Sequence, residues 1–582
     1  MLKVLRHISW FIKQEWKSYV LMFTLLLSIT VFALVPGWLL GLSIDTIISG
    51  GLTFRSLTIL GASLVAFPAV RYFLSFAYNY TTVKKSQQLA HSLRKKYLAH
   101  LFEMDSSFYE KYQKGDLISR ITTDLDAIIT ASTNLLEGMV FNVGFIIVAV
   151  TVMATTISWK LTLVSVVIMP IGLTILNMVR EKKRQYFKKH REIYAAFTDK
   201  MLESVEGQKA IRAYVQEDID LQKQYQAITN DIESWRRIVK FENLFNPMFE
   251  VIYGIAYALA FAFGIYLIIN QEMTLGGLIT FVTYVGMLYG PFISISGIFA
   301  QLNNAIVSVD RLEEVMSHIP TVQDDSSSKP ILAFTAIDFN NVTFKYPFDK
   351  QPVIKDITFS IKKGQTIGIV GPTGAGKSTL IRQLLREFNV TKGSVLIDGV
   401  PIEKYKIDAI RQLVGYVPQS HILFKLPVEE NIRIGKPTAS EEMLHEAVKT
   451  ADFEKDLRHM QDGLHTMMGE SGVNLSGGQK QRLSIARALI KDPEILILDD
   501  SLSAVDMETE RTIIQHLKEV RQGKTNIIVT HRFSAIQEAD LILVVEHGEI
   551  TQRGTHEELI NQDGWYQRQN DTQVTGLDEV TA

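Results

Sequence analysis

The sequence predicts a multidomain fold. A six-helix α domain spans a membrane and carries long helical extensions, and an α/β domain on a largely parallel sheet follows it. Three observations predict this. Long apolar runs crowd the first half of the 582 residues. Beyond residue 330, short β-branched runs (366–370, 394–397, 414–417, 494–498, 526–529) alternate with helical segments, the pattern of a parallel sheet. The string Gly371-Pro372-Thr373-Gly374-Ala375-Gly376-Lys377-Ser378 lies between one such strand and a helical run at 379–387.

The length exceeds what a single core serves. With 60 Lys and Arg against 62 Asp and Glu, the near-neutral balance implies no polyanion partner and no nucleic acid. Cysteine is absent, which excludes disulfides, thiolate metal sites and cysteine nucleophiles.

Residues 2–16 alternate apolar and basic at helical spacing, which suits a helix in the cytoplasmic interface. Lys3 and Arg6 precede an apolar stretch from Tyr19, but no small-residue cleavage pattern follows. The run is long enough to cross, so a retained first span is expected. Six spans are predicted near 18–43, 55–80, 133–157, 161–180, 247–270 and 276–300. The gaps 81–132 and 181–246 are long and basic, and the positive-inside rule puts them in the cytosol. Both termini and the α/β domain then face the cytoplasm of a multi-pass protein in the cell membrane. Short helices near 107–115 and 214–220 should turn the two extensions around. The expected domains are a transmembrane domain at 1–317, a linker at 318–334, a nucleotide-binding domain at 335–570 and a solvated tail at 571–582.

The string 371–378 fits G-x-x-x-x-G-K-[ST], a loop whose backbone N–H groups close on phosphate oxygens. Gly371, Thr373, Gly374, Gly376 and Thr379 join Lys377 as candidate nucleotide contacts, with Lys377 reaching the β- and γ-phosphates. Ser378 and Asp499, at the end of an apolar strand, are candidate Mg²⁺ ligands, and Gln419 is a third on a flexible loop. His531 follows another strand and can face a γ-phosphate. Tyr346 could stack on adenine.

The order of Tyr346, the phosphate loop, Gln419, Leu475-Ser476-Gly477-Gly478-Gln479, Asp499-Asp500, Asp506 and His531 resembles the nucleotide-binding domain of ATP-binding cassette (ABC) transporters. Six spans fused ahead of one such domain resemble a half-size ABC exporter, and residues 115–120 also look like that family. The resemblance implies ATP and Mg²⁺ as cofactors and Tyr346 on the adenine. Gln419 would link the γ-phosphate to the membrane domain, and residues 475–479 would be the signature loop. Asp506 is implied at a dimer interface and His531 on the γ-phosphate. It also implies a dimer in which each ATP lies between one chain's phosphate loop and the other's signature.

The family usually carries Glu where this chain has Asp500, and that Glu orients or deprotonates the attacking water. An Asp carboxylate should leave the chain's own site able to bind ATP but slow to hydrolyse it, while the signature is intact. The combination resembles the degenerate-site subunit of bacterial heterodimeric multidrug exporters of the BmrCD type. The expected partner is a second half-transporter that supplies the catalytic Glu. The expected cargo is an amphipathic drug, cationic or otherwise lipophilic. A homodimeric lipid or peptide exporter is one alternative, and an ATP-gated sensor or regulator without pumping is another. Tyr284, Met287 and Leu288, in a span rich in rings and Met, are candidate lining residues with Glu137. Arg71 and Glu137 are charges within apolar spans, where such groups usually pair or serve a pathway.

Overall fold

The computed structural model describes residues 2–581 apart from 52, 332, 470, 471, 473 and 474. The side chains of 2, 135–137, 139, 140, 173, 175–184, 242, 244–246, 249, 296, 299, 300 and 574–581 are outside that description. Two compact units are present: Met1–His100 with Gly115–Ser317, and Leu101–Lys114 with His318–Ala582.

The first twelve helices, in chain order, are α1 (Leu2–Gln14), α2 (Trp16–Ile48), α3 (Phe54–Phe102), α4 (Ser106–Lys111), α5 (Lys114–Ser119), α6 (Leu125–Leu136), α7 (Gly144–Val152), α8 (Trp159–Val166), α9 (Ile168–Glu206), α10 (Gln208–Ala213), α11 (Glu217–Ile269) and α12 (Leu275–Met316). The short α4 belongs to the second unit. Among the described residues, five stretches are long and apolar enough to cross a membrane: Trp16–Ile48, Phe54–Phe102, Phe141–Gly172, Glu250–Ile269 and Leu275–Ile295. The difference from six lies in Phe141–Gly172. That stretch is no single rod, because Ser158 turns extended (φ −165°) and caps α8 by accepting from the Leu161 N–H. It therefore holds the end of one expected span and the start of the next.

Helix α1 spends part of its apolar surface on protein contacts. Val4, Ile8 and Phe11 recur along one stripe and are 0–3% exposed, so that stripe is spent on protein rather than lipid. Lys3 and His7 meet Asp310 and Glu313 of α12. The turn of the second long extension also differs from expectation. The short helix there is α10, at Gln208–Ala213, and Tyr214–Gln216 form the turn, with Val215 left-handed at φ 52°.

Helices α2 and α12 approach closely because glycine lines the contact. A Cβ on Gly41 would lie 1.9 Å from Thr280 Oγ1 and 2.5 Å from Gly276 O. One on Gly37 would lie 2.9 Å from Tyr284 Cε1. A turn further along α2, Asp45 accepts hydrogen bonds from the Gly276 N–H and Thr274 Oγ1, each at 2.8 Å. A carboxylate at the N-terminus of α12 meets free N–H groups and a favourable dipole.

The second unit is α/β. Its strands are β1 (Ala336–Phe344), β2 (Ile354–Lys362), β3 (Thr366–Val370), β4 (Lys392–Ile397), β5 (Val400–Pro401), β6 (Val414–Val417), β7 (Ile495–Asp499), β8 (Thr525–Val529), β9 (Leu541–Glu546) and β10 (Glu549–Gly554). Four form a sheet in the order β2-β1-β4-β5, and six form another in the order β10-β9-β3-β8-β7-β6. In the larger sheet β9, β3, β8, β7 and β6 are mutually parallel. Its middle is apolar on both faces, every residue of β7 being buried. Parallel strands deliver the loops after β3, β6, β7 and β8 to one edge, where the site residues collect.

The tail is helical, and its described residues 571 and 572 are exposed. Helix Trp565–Thr581 runs through it, and Gln573 Nε2 donates to His531 O at 2.6 Å.

Candidate active site at the carboxyl edge of the parallel sheet

The loop after β3 turns on glycine. Gly371 has φ 145°, and a Cβ there would lie 2.0 Å from Val545 O. Gly376, at φ 100°, begins α13 (Lys377–Leu384), which has no side-chain cap. The first N–H groups of α13 are thus available to an anion. Lys377 folds back over the loop, its Nζ donating to Gly371 O at 2.8 Å and Pro372 O at 2.9 Å. Burial lowers its pKa, against the opposing pull of Asp500 and Asp499. The ammonium is thereby held ready where a phosphate would replace two neutral carbonyls.

Asp499 ends β7 at 2% exposure. Its Oδ1 accepts from Ser378 Oγ at 2.9 Å, and its Oδ2 accepts from Tyr416 OH at 3.2 Å. Burial raises the Asp499 pKa, with these two hydrogen bonds working the other way. Burial, then the charge of Asp499, pushes the Tyr416 phenol up. The pairing of β6 with β7 places Tyr416 beside Ile497, and its signal in the sequence was a lone hydroxyl in an otherwise apolar strand. A buried carboxylate and a hydroxyl supply hard oxygen donors. Among the described residues no cluster of three His, Cys, Asp or Glu could cage a metal. That set fits Mg²⁺, which keeps waters and substrate phosphates as most of its ligands.

Asp500 is left-handed at φ 49°. Its N–H donates to Val529 O at 2.8 Å, and its carbonyl accepts from Ser503 Oγ at 2.9 Å. The backbone is thus pinned on both sides. His531 is exposed; burial of the ring first, then Lys377, lowers its pKa, while Asp500 opposes. Lys377, Asp499, Asp500 and His531 are thus within electrostatic reach at one edge. Gln419 is exposed, two residues past β6.

Tyr346 is half-buried, edge-on to Phe344 (4.9 Å) and Phe388 (5.3 Å). Its hydroxyl lies 3.0 Å from Thr379 Oγ1 and accepts from Arg382 Nη1 at 3.1 Å. Arg382 escaped the sequence reading because no spacing marks it.

The residues 475–479 form a separate group. Ser476 caps the helix Gly477–Leu489 in a capping box with Gln479. Leu475 packs on the apolar core, Ser476 and Gly477 are exposed, and Gly478 lies beside Ala504. Gln481 Oε1 accepts from Ala504 N–H at 3.0 Å, and Gln481 Nε2 donates to Ser503 Oγ at 3.4 Å. Ser503 therefore touches both Asp500 and the helix Gly477–Leu489. Asp506 is exposed and caps Met507–Val520, accepting from Thr509 N–H at 2.9 Å. Those helix N–H groups hold its carboxyl below the usual range.

In the first unit, Tyr284 and Leu288 are buried among helices, Tyr284 OH donating to Leu34 O at 3.0 Å. Met287 is half-buried and Arg71 is exposed. The side chain of Glu137 lies outside the described residues.

The description "ABC transporter transmembrane region" matches residues 19–292, and "ABC transporter" matches 354–503. The chain is 39% identical over 575 residues, 98% of each chain, to the Bacillus subtilis "Probable multidrug resistance ABC transporter ATP-binding/permease protein YheI". It is 33% identical to the Escherichia coli "Multidrug resistance-like ATP-binding protein MdlA", over 97% of this chain and 96% of the relative. It is 32% identical to a Pseudomonas fluorescens "ATP-dependent lipid A-core flippase", over 87% and 83%. A solved bacterial Atm1-family ABC exporter with ATP bound shares the fold, with TM-score 0.81, 24% identity and coverage of 96% and 99%. With a membrane domain, an ATPase domain and multidrug transporters among its relatives, the chain belongs to the ABC transporter family and is an ATP-hydrolysing exporter.

Proposed function

We propose that the chain is one half of a heterodimer that exports amphipathic drugs or other lipophilic compounds across the cytoplasmic membrane. Asp500, set beside an intact signature loop, carries this reading. The chain's own site binds ATP and turns it over slowly. Its residues 475–479 complete the partner's site, where the partner's Glu acts. The multidrug names of two relatives support the cargo class.

In this reading Gly371, Thr373, Gly374, Gly376 and Thr379 line the phosphates, and Lys377 leaves its two carbonyls for them. Tyr346 meets the adenine, His531 the γ-phosphate, and Asp506 the opposing chain. Ser378, Asp499 and Gln419 would hold Mg²⁺, which neutralises phosphate charge when bound. Both termini and the ATPase domain lie in the cytoplasm. ATP binding brings the two ATPase domains together and turns the membrane cavity outward; hydrolysis resets it. Glu137, Tyr284, Met287 and Leu288 belong to the cargo path, reached as the bundle opens.

The test is Mg²⁺-ATPase activity of the full chain purified alone in lipid. Negligible turnover by a folded, ATP-binding chain is expected. Robust turnover abolished by Lys377→Ala would establish a working homodimer and refute the heterodimer. The flippase relative favours a second reading, a lipid exporter. Vesicle uptake assays with a cationic dye and with a labelled lipid separate the two cargoes.

A further inference from the structure

Helix α4 is held firmly at its start. Asp105 caps it, accepting from Phe108 N–H at 3.1 Å and Ser107 Oγ at 2.6 Å. The same carboxylate accepts from Thr321 Oγ1 at 2.6 Å and Val322 N–H at 3.1 Å. Phe108 is fully buried against the rings of Tyr112 and His318. At the other end of α4, Glu110 Oε1 lies 3.5 Å from Arg382 Nη1.

Arg382 belongs to α13, the helix that opens on the phosphate loop. Its guanidinium donates to Glu387 at 2.7 Å and to Tyr346 OH at 3.1 Å, and lies 4.7 Å from the Phe388 ring centre. A continuous polar chain therefore runs from Glu110 through Arg382 and Tyr346 OH to Thr379. Only a planar fork reaches all three partners from one position; an ammonium is a point charge with no such geometry. Burial raises the Glu110 pKa, and the Arg382 guanidinium opposes that rise.

We propose that Arg382 is a positioning residue that couples the turn carrying α4 to the adenine side of the nucleotide site. The inference rests on Tyr346 as the adenine-facing ring. A base on that ring fixes the ring, the ring fixes its hydroxyl, and the hydroxyl fixes the guanidinium that Glu110 sees. Helix α4 follows α3 directly in the chain. By linkage, whatever moves α4 must alter ATP affinity in return.

The absence of native cysteine makes the test clean. Lys111→Cys in the full-length chain in nanodiscs takes an environment-sensitive dye at an exposed position on α4. ATP is titrated with Mg²⁺ chelated, and both affinity and dye response are read. Arg382→Lys and Glu110→Gln should cut the ATP-induced dye signal about fivefold or more, the scale of a modest coupling. ATP affinity should change less, by about threefold. A merely structural Arg382 would lower thermal stability in both nucleotide states and leave the dye signal intact. Signals equal to wild type in both variants overturn the relay. Tyr346→Ala tests the underlying reading separately, because an adenine-stacking ring should make ATP binding about tenfold weaker when lost. Unchanged affinity there refutes the adenine role. Weakened affinity there, with wild-type dye signals in Arg382→Lys and Glu110→Gln, refutes the relay alone.

Discussion

Asp500→Glu should accelerate hydrolysis at the chain's own site. The Cα of residue 500 cannot drift to compensate for a short side chain, because its N–H is bonded to Val529 O and its carbonyl to Ser503 Oγ. The carboxylate therefore falls short by one methylene, about 1.5 Å. A displacement of about 1 Å costs on the order of 10²-fold in rate, equivalent to about 2.7 kcal/mol. Glu has a cost of its own here. Residue 500 is left-handed at φ 49°, a region Asp enters more readily than Glu. A left-handed L-residue costs roughly 1–2 kcal/mol, less for Asp, so the exchange should lose under about 1 kcal/mol. In a domain of this size that lowers the melting midpoint by about 2–4 °C. The catalytic gain is the larger effect. Mg²⁺-ATPase turnover of the purified chain, compared between wild type and variant, measures it. Turnover unchanged within twofold, in a variant that still folds and binds ATP, would refute the argument from side-chain reach.

Three further outcomes are expected. Asp499→Asn should raise the melting midpoint of the nucleotide-free chain, because burial disfavours the ionised carboxyl, while Mg²⁺-dependent hydrolysis is lost; a fall in midpoint contradicts this. His531 titrates below its ordinary value, so the unfolded chain takes up this proton first. Its contribution to stability is therefore complete above the ordinary histidine range and is lost as pH falls below about 6.5. His531→Asn should flatten that part of a melting-versus-pH curve, and superimposable curves would rule out the effect. Gly41→Ala should destabilise by about 1–3 kcal/mol, since its methyl would sit 2.5 Å from the Gly276 carbonyl. Gly61→Ala, inside α3 with open space around it, is the matched control and should stabilise by up to about 1 kcal/mol in the same detergent-melting assay.

The ATPase half was legible because its chemistry is written in short strings. A glycine-rich loop must follow a strand and open a helix, and 371–378 does both. Residues that act through tertiary contact left no such mark. Tyr416 reaches Asp499 only because β6 lies beside β7, and Arg382 reaches Glu110 across 272 positions of sequence. The membrane half was legible at the level of apolar length. Its breaks were not, because Ser158 looks like any serine until its backbone turns extended. The same limit applied to α1, whose amphipathic stripe reads alike whether lipid or protein covers it.

The glycine contact between α2 and α12 bears on how force travels. Three successive turns of α2 are fitted to α12: Gly37 against the Tyr284 ring, Gly41 against Thr280 and the Gly276 carbonyl, and Asp45 on the Gly276 N–H. Helix α12 runs for 42 residues, about 63 Å, to Met316. A displacement at its far end is therefore delivered to α2 as to the other half of a riveted beam. Sliding one helix along the other would break all three fits at once, so the pair is expected to tilt as one lever.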